Sequence, residues 1–496
     1  MVQCEKFERD EWIQQTLYEL LTHYKNTPFL CEQLLRQATY NDTLQSFKQL
    51  KSNETAIIQS GKPLAKFTTN SHAPRLITVN NMLVPNWTTP DIFDQLQQKN
   101  LVLEHESYVA HLTYFSHYSV LYTTYLMMKE MLFQKNTIRA FDNEWILSSG
   151  LGVLSSATVD ATSLLQTPIL IVARNGLRAK QLLEKGSIHH IVYDAEIALH
   201  HIQQAVTSKQ YIAVVLIGDV TEQYEQLANS GARPTLLIDQ TPLNRQSFYT
   251  NVTDEQIQKM IQAIQQFIQR DTAVMDFGNG LSQLIKAYTN QKIETTMQHF
   301  LRPLLLEGKE HIHFMYLSDD KQEIAYIHKV LNEKIEQASL KQWLQISQQH
   351  CQHEQFYIRD LWLSEKETIA VAIALNQLIE EQHLSAPLVM SKGLYNTSTA
   401  VAPKFETENL KDNSDTIADW LFLQALLSTS SGASWITIAQ HTPTMPSIHT
   451  LSSLVLDGQI ETEKRIHRFF HNQARFTLLR HAYAGYSKSV AQVTTD

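Results

Sequence analysis

The spacing of apolar residues changes twice along the chain. In Glu11 to Tyr24, and again through Leu34, Leu35, Leu44, Phe47 and Leu50, apolar side chains recur every three or four positions, which predicts amphipathic helices in a helix-rich N-terminal part. From Trp145 the pattern breaks into short runs rich in Ile, Val and Leu: WILSS, PILIVA, HHIVYD, YIAVVLIG and TLLID. These runs lack clean alternation, as strands covered on both faces do, and helical spacing separates them. A parallel, Rossmann-like sheet is therefore predicted. After Leu301 both patterns mix. TIADWLFLQALLSTSSGA reads as a helix capped by Ser414 or Asp415, with Trp420, Leu423, Leu426 and Leu427 packing inward, and SSLVLDG reads as a strand. The fold class is α/β, with a Rossmann-like part at 116–300 between an N-terminal domain at 1–115 and a mixed C-terminal domain at 301–496.

Tyr211 to Pro242 shows the unit most clearly: strand, Gly218-Asp219 turn, helix, Gly231 stop and second strand. Ligands in such sheets sit at the carboxyl ends of the strands, here Gly150, Gly218 and Gln240. Ser149-Gly150-Leu151-Gly152 has the tight turn that a pyrophosphate needs at a helix N-terminus, yet Val153, Leu154, Ser155 and Ser156 follow where more glycines would serve. The whole chain has only 14 glycines in 496 residues, about half the usual share.

A net charge of -9, spread along the chain, argues against nucleic acid and membrane surfaces as partners. No signal segment or bilayer-length apolar run is evident, so a cytoplasmic protein is expected. Three cysteines, far apart, make neither a disulfide framework nor a zinc knuckle. His311 and His313 would share one face of a strand, and His350 and His353 lie close in sequence. Spacing supplies no third ligand in either place, and no metal is expected.

Eight segments resemble the urocanase (urocanate hydratase) family in the same order: WILSSGLG, LIGDVTE, GARPTLLIDQT, DFGNGLSQ, RPLLLEG, SAPLV, the run from VAPKFETENL to GASW, and LLRHAYAGY, all preceded by QSGKPLAKF. The resemblance implies a urocanase fold and a homodimer. It also implies a Rossmann-like domain in which NAD acts as an electrophile toward urocanate while water adds to the imidazole.

Site positions carried over by this resemblance are unevenly kept. The cofactor positions Gly150, Gly152, Arg178, Gly218, Gln240 and Asn279 remain as a vestigial set. An acid that would hold a ribose is Ala173, and Asp219 is a new carboxylate near the cofactor. Tyr118 and Tyr122 stand where the family has glycines, and Pro443 and Pro446 replace glycines of a later loop. The family's G-R-D-H-L-D is Ser391-Lys392-Gly393-Leu394-Tyr395-Asn396, and its arginine in P-F-R-W is His313. His313, Lys392 and Tyr395 are the candidates for catalysis, with Gly393 and Asn396 at the places of the lost acid. Lys62, Arg302 and Arg359 are the candidates for holding a carboxylate, although each also has a plain structural use.

Three functions stay open on the sequence. The first is a urocanase-like protein without urocanate hydration, a pseudoenzyme or altered-ligand paralogue that binds a small molecule and carries no NAD. The second is an active hydro-lyase with a rebuilt pocket, using NAD if the family's site works. The third is a small-molecule or metal-binding sensor.

Overall fold

The computed structural model describes residues 50–51, 53–60, 62–83, 89–99, 101–102, 118–135, 144–239, 253–276, 281–289, 293, 295–350, 357–386, 388–392, 398–401, 410–440 and 447–493. The helices expected in 11–24 and 34–49 lie outside that set. Residues 50–102 carry three strands: β1 (Glu54–Gln59), β2 (Lys62–Thr68) and β3 (Leu76–Asn80). Strands win here because Thr55, Ile57, Ile58, Ile77, Thr78 and Val79 are β-branched and too closely spaced for a helix stripe. β1 and β2 form an antiparallel hairpin, whereas β3 lies parallel to β1. The hairpin closes at the pair Gln59 and Lys62, with Ser60 at φ 43°.

A second contact unit holds the Rossmann-like sheet. Its strands are β4 (Ile146–Ser149), β5 (Ile169–Ala173), β6 (His190–Val192), β7 (Ala213–Ile217), β8 (Leu236–Asp239) and β9 (Ala273–Asp276). All pair in parallel, in the order β6-β7-β5-β4-β8-β9. Five coincide with the five apolar runs; β9, a short AVMD stretch, carries too little signal to stand out. Leu170, Val214, Leu216 and Leu237 pack with Ile202, Tyr224, Ile264 and Phe267 of the covering helices. Asp194 caps one of these helices, and Thr253 with Gln256 forms a capping box on another, satisfying amides that a helix start leaves open.

Glu144, just before β4, is buried, and neither carboxyl oxygen has a hydrogen-bond partner among the described residues. Burial pushes its pKa up to about 7. In the unfolded chain the group titrates near its ordinary value of about 4.3, so stability falls as pH rises from there through 7. Glu144→Gln removes this dependence. Its melting temperature is expected to gain on the unsubstituted protein between pH 5 and pH 8, by the equivalent of about 2 kcal/mol. Parallel melting curves for the two proteins at both pH values would refute this.

The remaining strands are β10 (Lys309–Tyr316), β11 (Tyr357–Ser364), β12 (Leu388–Lys392), β13 (Ala400–Val401), β14 (Trp435–Gln440) and β15 (Ile448–Leu456). They join the first three in one sheet, β11-β10-β12-β15-β14-β3-β1-β2, with β13 on β15. The join is the parallel pair β14–β3, Trp435 beside Leu76 through Ala439 beside Asn80. One compact unit thus combines chain from both ends of the sequence. No helix among the described residues is long and apolar enough to cross a membrane.

Helices Asp419–Ser430 and Ile460–Tyr483 cover one face of this sheet. The first is oriented differently from the sequence expectation. Leu421, Gln424, Ala425 and Ser428 face inward, whereas Leu423 and Leu426 are 51% and 67% exposed. The inward stripe is polar because Gln424 and Ser428 bond to Gln473, and that network fixes the rotation. Trp420 packs edge-on against Phe476 and Tyr483 and under the Arg480 guanidinium. Neither Ser414 nor Asp415 caps the helix: both belong to a preceding 3-10 turn, in which Asp415 accepts from the Leu410 amide.

Candidate functional site

Strand register assigns the side chains of the large sheet to two faces. His311 lies opposite Trp362, His313 lies between Asp360 and Ser391, and the row continues through Ser453 and Trp435 to Leu76. On the same face Thr437 lies beside Thr78, and Ala439 beside Asn80. This face is therefore unusually polar for a buried surface. His311, His313, Asp360, Ser391, Ser453, Thr437, Thr78 and Asn80 are all at most 5% exposed.

At one end of the row, His311 Nε2 is 3.0 Å from Asp360 Oδ2, and its ring stacks on Trp362 with centroids 4.9 Å apart. His313 meets His311 edge-on at 4.4 Å. Burial holds His311 down to about 3. Burial also places His313 well below the ordinary imidazole range, with His311 lowering it further and Asp360 opposing. Both rings are neutral at pH 7. A neutral His311 donates Nε2–H to Asp360, so its lone pair lies on Nδ1. His313 Nδ1 has no hydrogen-bond partner among the described residues. The arrangement can orient an imidazole and accept or donate a hydrogen bond; it offers no fixed positive charge for a carboxylate.

Four buried polar side chains along this face, His313, Trp435, Thr78 and Asn80, carry atoms without a hydrogen-bond partner among the described residues. Such groups cost stability wherever they occur.

Lys392 does not join His313. It shares the opposite face with Ile312, where its Nζ lies 3.2 Å from Glu310 and bonds to Thr477, Ser398 and the Gln473 carbonyl. Burial lowers its pKa, with Glu310 opposing. Arg359 is on that face too, opposite Phe314, bonded to the Ile358 and Ser347 carbonyls and lying over the Tyr357 ring. Arg302 is half-buried at the start of a short helix. Lys62 lies at the start of β2. Tyr395, Gly393, Asn396, Gln240, Asn279, Pro443 and Pro446 lie outside the described residues.

In the Rossmann-like unit, the carboxyl ends of the strands form the second place to test. Gly150 follows β4 with φ 82°, a conformation that side chains rarely adopt. Among the described residues nothing lies within 4 Å of where a Cβ on Gly152 would be, so they leave that turn open to close approach of a ligand. The end of β7 is different. A Cβ at Gly218 would meet Gln223 Nε2 at 2.7 Å, because the Gln223 side chain already fills the space over the glycine. Asp219 caps the following helix through Thr221 and pairs with Arg174 just beyond β5. Ala173, where a ribose acceptor would stand, is buried, and Arg178 bonds along its own helix to Gln181. At the centre, Ser149 donates to Asp239 at 2.6 Å with both side chains fully buried. The described residues fit a pyrophosphate at the β4 turn but not the remainder of a dinucleotide. Among them, no group of three or more His, Cys, Asp or Glu side chains is placed to hold a metal ion.

Asp360, Thr78, Asn80 and Trp435 escape a reading by sequence. Only the alternation in YIRDLWL, which puts Asp360 on the face of Trp362, hints at the first. Three family models match the chain: the urocanase N-terminal domain over residues 17–105, the urocanase Rossmann-like domain over 119–250 and the urocanase C-terminal domain over 303–495. With five of the six strands of the parallel sheet inside the middle match and the polar face inside the outer two, the chain belongs to the urocanase family.

Proposed function

We propose that this chain is an altered-ligand member of the urocanase family, one that binds a small molecule on the polar face of its large sheet and does not hydrate urocanate by the NAD route. The observation that carries this is the pair of neutral, buried imidazoles at His311 and His313, where a carboxylate-bearing substrate would need a cation. The filled β7 turn and the Arg174–Asp219 pair add to it, since both take space and polar capacity from a dinucleotide. Denaturing the purified protein and assaying the released nucleotide is expected to give far less than one NAD per chain. A stoichiometric yield would overturn the proposal.

One observation favours a second reading, an active hydro-lyase with a rebuilt pocket. Asp360 orients His311 as an acid orients a general base, and such a pair can move a proton without any of the family's own residues. Turnover of urocanate distinguishes the two readings.

A homodimer is part of the proposal. Phe422, Leu423 and Leu426 expose an apolar stripe on the outside of helix Asp419–Ser430, with Ile417 at its start, and exposed patches of this kind mark contact surfaces. Light scattering at micromolar concentration is expected to give twice the chain mass, and Leu426→Glu to shift it toward the monomer. A monomeric unsubstituted protein refutes this.

A further inference from the structure

The far end of the polar face, on β14, β3 and β1, has a chemistry of its own. Asn80 is 1% exposed, and neither its Oδ1 nor its Nδ2 has a partner among the described residues. Two residues earlier on the same face, Thr78 Oγ1 is likewise unpartnered at 2% exposure, and so is the indole Nε1 of Trp435 on the adjoining strand at 3%. The neighbours at this end are small. Ala439 stands beside Asn80, so one flank has only a methyl group. On the other side the chain turns at Ser60, whose amide donates to the Val79 carbonyl and whose hydroxyl accepts from the Asn81 amide. Asn80 therefore ends its strand in a frame held by backbone bonds while its carboxamide is left over.

A buried carboxamide without a partner destabilises the fold, and leucine would serve the fold better at that place. The groups also specify a partner. The carboxamide presents one acceptor and one donor side by side in a plane, the complement of another amide edge; Thr78, two residues away on the same face, adds a hydroxyl. The positions of β14, β3 and β1 on this face are Trp435, Thr437, Ala439, Leu76, Thr78, Asn80, Ala56 and Ile58, with no ionisable side chain among them. A charged ligand group would lose its hydration there without a counter-charge. β3 is four strands from β10 in the sheet, about 19 Å at some 4.8 Å per strand, so this place is separate from His313.

We propose that Asn80, with Thr78, forms a subsite for a neutral small molecule bearing a cis-amide edge, a lactam or cyclic imide, held by paired hydrogen bonds to the Asn80 carboxamide. The test uses the full chain and hydantoin as probe, with 1,3-dimethylhydantoin as the control that keeps the ring and its carbonyls but exchanges both N–H donors for methyl groups. Saturation-transfer NMR and calorimetric titration are expected to show hydantoin binding and at least about tenfold weaker binding of the dimethyl compound, or 1.4 kcal/mol. Asn80→Leu is expected to weaken hydantoin by the same factor while its melting temperature holds or rises, the signature of a residue kept for a ligand against the fold. Thr78→Val is a second, nearly isosteric variant, expected to weaken hydantoin several-fold. The proposal is overturned if hydantoin does not bind, if both compounds bind alike, or if the variants bind hydantoin as the unsubstituted protein does. A fall in melting temperature in Asn80→Leu also counts against it, by making the carboxamide a structural group.

Discussion

Urocanate mixed with the purified protein, with or without added NAD, is expected to keep its ultraviolet absorbance, with no turnover above background. Hydration by the family's route has three requirements that bear on this chain separately. The electrophilic cofactor needs an open cradle, and Gln223 fills the space over Gly218 while Asp219 is bound to Thr221 and Arg174. The propenoate carboxylate needs a cation, and His313 is a neutral ring in a buried row. The acid/base group that the family places in this segment is Gly393 or Asn396 in the sequence. Loss of one positioned acid or base costs roughly 10²–10⁴-fold, and loss of the cofactor removes the route altogether. Single restorations should therefore fail. His313→Arg has Asp360 beside it in register, so its guanidinium has a partner, and the variant is expected to fold yet remain inactive. Gly393→Asp is likewise expected to remain inactive. Loss of absorbance well above background with the unsubstituted protein would replace the first reading of function with the rebuilt enzyme.

Lys392→Ala is expected to be the most damaging single substitution, at about 3–5 kcal/mol, because it removes the cation of a buried ion pair while the Glu310 carboxylate stays buried. Lys392 is 2% exposed, and its ammonium holds Glu310, Ser398, Thr477 and the Gln473 carbonyl together between the sheet and helix Ile460–Tyr483. Truncation leaves the Glu310 carboxylate buried without its cation, beside a cavity. Replacing both groups, Glu310→Leu with Lys392→Met, should recover most of the loss, since apolar packing of similar volume commonly equals or exceeds a buried pair. Thermal melts of the three variants provide the check. If Lys392→Ala melts with the unsubstituted protein, the lysine is not structural, and a chemical role would regain ground.

The layout of this protein was largely legible in its sequence. Five of the six Rossmann-like strands announced themselves because a strand buried on both faces must be apolar throughout, and such runs are visible one at a time. Collinear segments identified the family for the same reason: each is local. What only the tertiary structure decided is which residues meet. His313 and Lys392 are near neighbours through the β10–β12 register, yet they point to opposite faces because successive positions on a strand alternate. The partner of His311 is Asp360, 49 residues away on an antiparallel strand. The polar face is assembled from both ends of the chain, since β3 and β14 pair in parallel across more than 350 residues. Even the rotation of helix Asp419–Ser430 follows from distant chain, because bonds from Gln424 and Ser428 to Gln473 outweigh the pull of Leu423 and Leu426 toward the core. Apolar periodicity measures what a segment could bury, whereas burial itself is set by the hydrogen-bonding groups that must find partners once water is excluded.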